Sequence, residues 1–185
     1  MPYHRPLKPM IITQAWGVIH LDANGNNIYK PFGFLRHNGT DYAQTPSKIV
    51  SSPLDGIVVR VGNQPTGGGI FVSVTDGKVL FDFLHCEKIL VKEGDAVEEG
   101  QPIAIQDNTG FSTGPHTHIQ PRPITDFIFS TRQWKYAVVN DANGTVDPET
   151  LWGKDHAEDI WKLKQQVSLL QKLISLAKQV YGKSK

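Results

Sequence analysis

From residue 11 to about 121 the chain runs as short apolar stretches broken by Gly, Pro, Asn and Asp, with no long segment of helical periodicity. That pattern predicts a mainly β domain. Residues 56–61 and 70–74 read as strands, and 79–85 as a third. Asp76-Gly77 stands between the last two and predicts a two-residue hairpin with a type I′ turn. The run Gly67-Gly68-Gly69 has neither a helical pattern nor Lys-Ser/Thr after it, so it reads as a hairpin connection rather than a phosphate-cradling loop. Residues 91–103 place two Gly turns around an apolar position and then enter a further strand at 103–105. Residues 122–145 hold two aromatic-rich, β-prone stretches closed by Asn-Gly, an inserted hairpin whose role the sequence does not disclose.

After Pro148 the period changes. Ile160, Leu163, Val167, Leu170, Ile174, Ala177 and Tyr181 recur at spacings of three and four, with no Gly or Pro between them. This predicts an amphipathic helix over residues 155–182 with an a/d seam. Leu169, Leu173, Leu176 and Val180 widen the stripe. Docking on its own domain and association with a second copy or a partner both satisfy such a face. The division is therefore a β domain over 1–150, with its motif-bearing part at 11–121, followed by the helix.

Composition narrows what this domain does. Of 185 residues, 19 are basic and 18 acidic, a net charge of +1 that gives no general attraction to nucleic acid or anionic lipid. No apolar run reaches the roughly 20 residues needed to span a bilayer, and residues 1–17 lack the pattern of a signal peptide. The single cysteine, Cys86, rules out an internal disulfide and a cysteine-based zinc cage, so a metal would fall to His, Asp or Glu.

Seven histidines then carry the interest. In a strand, His116 and His118 project from one face into one cavity. His37 and Asp41 lie four apart around Gly39, which permits a bent, extended segment whose two ends reach one ion. Hydrolytic zinc takes three His or carboxylate ligands and leaves a position open, and His37, Asp41 and one of the paired histidines fill that set. Strict alternation puts His85 on the face of Phe81 and Phe83, as an inward imidazole able to act as a base, and Cys86 on the opposite face as a small apolar residue. His4, His20 and His156 have no companions in sequence and read as surface residues.

The motifs around these residues resemble the M23 metallopeptidases, the lysostaphin and LytM-type zinc endopeptidases. His37-Asn38-Gly39-Thr40-Asp41-Tyr42-Ala43 is similar to the family's H-x-G-x-D-Y/F-A. Residues 52–58, SPLDGIV, resemble its A-P-x-x-G-x-V, and 94–101, GDAVEEGQ, its G-D-x-V-x-x-G-Q. Residues 109–118, TGFSTGPHTH, resemble T-G-x-S-T-G-P-H-L-H, and Val146-Asp147-Pro148 is a last echo. The phrase Y-x-H-L becomes Phe83-Leu84-His85-Cys86, and the Phe-Glu that commonly follows H-x-H becomes Ile119-Gln120. The resemblance implies a LytM-type domain, an antiparallel β-sheet or sandwich-like fold, with a groove over one Zn²⁺ held by His37, Asp41 and His118, with His85 and His116 as catalytic residues on the open side. It further implies hydrolysis of peptide bonds in cell-wall peptidoglycan, hence action outside the cytoplasm, by a trimmed chain or a phage endolysin-type enzyme. A non-catalytic module that binds the wall or a partner is the alternative. The G-D-x-V-x-x-G-Q phrase also occurs in biotinyl and lipoyl carriers, but the lysine hairpin of a carrier is missing here.

Overall fold

Alternation of apolar and polar side chains builds the sheet and gives it two different faces. In the computed structural model, which describes residues 2–153 and 157–181, ten strands pair antiparallel. They are β1 (Ile12–Gln14), β2 (Thr40–Ala43), β3 (Ile49–Ser51), β4 (Gly56–Gln64), β5 (Gly69–Thr75), β6 (Val79–Ile89), β7 (Ala96–Val97), β8 (Pro102–Gln106), β9 (His116–Ile128) and β10 (Gln133–Tyr136). The main path runs β1-β2-β9-β6-β5-β4-β7, with β10 added to β9, and β8 bridging β3 and β6.

One face of β4, β5, β6 and β9 buries Val58, Val72, Val74, Phe81, Phe83 and Ile119, which form the core with Val50 and Ile103 of β3 and β8. Burial of such side chains contributes roughly 1.5–3 kcal/mol each, before the entropy of ordering them. Segments on either side of the motif-bearing region complete this core. Leu7 is buried in it, and Phe81 packs between Tyr3 and Trp152 at ring distances of 5.0 and 5.6 Å. His4, expected at the surface, is buried as well, because its backbone joins Pro53 and carries the N-terminal segment across the core.

The hairpin between β5 and β6 forms as expected, but its turn differs. Residues 76–78 separate the strands, and only Gly77 of the three has positive φ, at 86°. The Asp76 carboxylate accepts from the amides of Lys78 and Val79 at 2.9 and 3.1 Å, so a side chain caps the turn and a type I′ backbone is not needed. The inserted hairpin is continuous with the sheet: β9 runs unbroken through residue 128 and β10 folds back on it. Its Trp134 and Phe127 cover a second apolar cluster of Val59, Leu80 and Ile124.

The C-terminal helix, α1 (Ala157–Tyr181), forms where the period predicts it. Leu163, Val167, Leu169, Leu170, Leu173, Ile174 and Leu176 are all exposed, so these side chains do not dock on the β domain. His156 lies outside the described residues. Among those residues no helix is long and apolar enough to cross a membrane.

Candidate metal centre and groove

The β2–β9 ladder brings Asp41 opposite His118. His37 precedes β2 and is fixed through its backbone, its amide donating to Val18 and its carbonyl accepting from Gly17, at 2.8 and 2.9 Å. Between them, Gly39 has a specific steric reason: a Cβ there would lie 2.5 Å from His118 Nε2 and 2.6 Å from the Ile119 carbonyl oxygen. Only glycine allows β9 to come so close. The result is a triangle of His37 Nε2, Asp41 Oδ1 and His118 Nδ1 with edges of 3.2, 2.9 and 3.1 Å, buried in the groove floor.

The donor chemistry of this triangle fits a metal. Two ligands at about 2.0–2.1 Å in a tetrahedral shell stand roughly 3.3 Å apart, close to the edges found. Each histidine also has an acceptor on its other nitrogen, which fixes the tautomer that turns a lone pair inward. His37 Nδ1 faces the Ala15 carbonyl at 3.0 Å, and His118 Nε2 faces Gln120 Oε1 at 3.3 Å. Gln120 is oriented in turn, since its amide nitrogen donates to Asp82 at 2.9 Å and its oxygen accepts from Asn38 at 2.7 Å. Burial acts to raise the Asp41 carboxyl, but its bonds with His118 and His37 outweigh that and hold it well below the usual carboxylate range. Burial pushes the His118 imidazole down, against the pull of Asp41, which favours the neutral ring that a metal requires.

His116 and His118 do share a face, as the alternation predicts, and His116 Nε2 lies 3.5 Å from Asp41 Oδ1. His116 Nδ1 lies 2.8 Å from the Gly114 carbonyl and 3.2 Å from the Ser112 hydroxyl. His85 reaches the groove by another route. Alternation would turn it to the core beside Phe81 and Phe83, but its φ of +64° twists β6, so that His85 faces the groove and Cys86 the core. The expected shared face with the two phenylalanines is therefore corrected, while Cys86 does sit opposite His85 as a buried residue. His85 Nδ1 lies 2.7 Å from the Thr109 carbonyl, and its ring is 4.7 Å from that of His116. Burial and the charge of His118 pull its pKa down to about 4.

All five histidine and aspartate positions singled out in the sequence thus line one cavity of about 480 Å³. His20, exposed as expected, stands at its rim. Sequence reasoning passed over the aromatic wall and the Asp82–Gln120 pair. Tyr29 stacks on His37 at 5.6 Å and accepts a hydrogen bond from Gln14, and Phe34, Phe32 and Phe111 continue the wall. The strand period alone points to Gln120, two residues beyond His118 on the same face.

Comparison with known proteins places the fold in a family. Residues 35–128, half of the chain, match peptidase family M23. The chain is 40% identical over 92 residues to the peptidoglycan DD-endopeptidase ShyA of Vibrio cholerae, covering 48% of this chain and 21% of that protein. Among solved structures, it is similar to a zinc-containing peptidase from Vibrio cholerae, with a TM-score of 0.59 and 26% identity over 84% of this chain and 41% of that one. It is also similar to the catalytic domain of lysostaphin from Staphylococcus simulans, with a TM-score of 0.52 and 30% identity over 68% of this chain and 88% of that one. The chain spans about a fifth of the length of the first curated relatives it matches.

Proposed function

The chain belongs to peptidase family M23, with a LytM-type fold, and on that premise we propose that it is a zinc endopeptidase cleaving peptide bonds of bacterial cell-wall peptidoglycan. The observation that carries the proposal is the triangle of His37, Asp41 and His118, three donor atoms about 3 Å apart with both histidine tautomers set by acceptors behind them. These residues would hold one Zn²⁺ per chain. When bound, zinc supplies a Lewis acid that polarises the scissile carbonyl and lowers the pKa of water toward about 7.

The remaining steps belong to the protein. His85 and His116 each have Nδ1 tied to a backbone carbonyl, which leaves Nε2 as the working nitrogen of both rings. One Nε2 takes the proton of the attacking water, and that proton later passes to the departing amine nitrogen. The protonated partner ring stabilises negative charge developing on the carbonyl oxygen. The aromatic wall of Tyr29, Phe34 and Phe32 positions the peptide and excludes water from one side. Action on the wall places the working protein outside the cytoplasm.

The test is release of new amines from purified peptidoglycan. The zinc-loaded protein is expected to release them, while His85→Ala and His116→Ala retain zinc and lose about 10²-fold or more in rate. A protein that binds zinc and wall but releases no amine would instead be the non-catalytic binding module.

A further inference from the structure

Beyond the triangle, the groove floor carries a positive charge that hydrolysis itself does not use. Arg60, Ser73, Asp82 and Gln120 stand side by side on β4, β5, β6 and β9, matched by strand register. Arg122 follows two residues along β9, on the same face as Gln120. Asp82 is 2% exposed and accepts from Arg60 at 2.9 Å, from Gln120 at 2.9 Å, and from Ser73 and Arg122. One carboxylate therefore serves two guanidinium groups, and a single positive charge is left over. The other acid lining the cavity among the described residues is Asp41, already engaged by His37 and His118.

Arg60 is the accessible member of the row. Its side chain is 39% exposed, whereas that of Arg122 is 5% exposed. Its guanidinium lies 5.3 Å from the centre of the Trp134 ring, and that of Arg122 lies 5.6 Å from the Tyr136 ring, so β10 holds both. Arg60 uses only part of its donor set: Nη2 donates to Asp82, and Nε is buried without a hydrogen-bond partner among the described residues, so the donors this guanidinium can offer the cleft are at its Nη end. A planar fork of donors, fixed on an aromatic face beside a polar cleft, is suited to a carboxylate.

We propose that Arg60, supported by the Asp82–Arg122 pair, is a specificity-determining subsite that binds a free carboxylate of the substrate peptide. This rests on the peptidase reading of the same groove. Arg60 stands three strands across the sheet from β9, and its guanidinium reaches back to Asp82 on β6, so the bound carboxylate lies to the side of the metal triangle, across the sheet from the bond being cut rather than at it.

The test uses cross-linked muropeptides before and after carbodiimide amidation of their free carboxylates, with zinc-loaded wild type, Arg60→Gln and Arg60→Lys. Wild type is expected to show a KM about tenfold lower for the acid form than for the amide form. That preference should collapse toward unity in Arg60→Gln and return in part in Arg60→Lys, with kcat changing less than KM. Equal KM values for the two forms in wild type, or a preference that persists in Arg60→Gln, would overturn the subsite. If wild type cuts neither form, the peptidase reading fails, and calorimetric titration of the same muropeptides then decides the subsite. A tighter Kd for the acid form that disappears in Arg60→Gln supports it, and equal Kd values refute it.

Discussion

His85 and Gly39 show how much of the site depends on single backbone positions. A non-glycine residue with positive φ is uncommon, and His85 at +64° adopts one to bring its ring to the groove. Period-two reasoning could not reveal this, because it assumes regular strand geometry, and so it put His85 on the wrong face. His116 and His118 were legible because β9 is regular where they lie. Gly39 was legible as a flexible position, but its reason, the approach of His118 and the Ile119 carbonyl, depends on a strand nearly eighty residues away. Gly39→Ala should therefore push β9 from β2, lowering stability by about 1–3 kcal/mol and weakening metal binding together. Thermal unfolding with a zinc titration checks both, and an unchanged Tm would show that the strands have room to give.

At the scale of elements, β9 joins the chemistry to its support, with His116, His118, Gln120 and Arg122 along one face and β6 beside it contributing Asp82. The strands β4, β5, β6 and β8, the hairpin joining β5 to β6 and the place of α1 were legible from periodicity and turn residues. What covers the apolar face of α1 was not, because a stripe of leucines specifies burial without specifying a partner. The Asp82 network also escaped a linear reading, since its members come from four strands. Burial alone would raise the Asp82 carboxyl, but the charges of Arg122 and Arg60 and the bonds from Ser73 and Gln120 outweigh it and hold it low. A depressed carboxyl contributes stability above its unfolded pKa of about 3.9 and loses that contribution as pH falls toward its folded value. Wild type should thus lose stability progressively below about pH 4. Asp82→Asn, which strands two arginines, should be less stable at neutral pH by about 3–5 kcal/mol and show a flatter acid profile. Denaturant unfolding from pH 6 to pH 2.5 tests this, and parallel profiles for the two proteins would refute the assignment.

Across the whole molecule, a sheet with two unlike faces explains how a chain of near-zero net charge builds a charged site. The apolar face sequesters the core, and the polar face gathers ligands, bases and the arginine row into one groove walled by aromatic residues. Membership in the family was legible because its motifs are local words of five to ten residues. The support that β10 gives the arginine row was not, because β10 lies beyond those words and acts through its rings against arginines of other strands. The account stands on the metal centre, so its most direct test is the zinc content of purified wild type beside His37→Ala, Asp41→Ala and His118→Ala, by elemental analysis under metal-replete conditions. The account predicts one zinc per wild-type chain and marked loss in each folded variant. Wild type without zinc, or folded variants that keep a full complement, would contradict it.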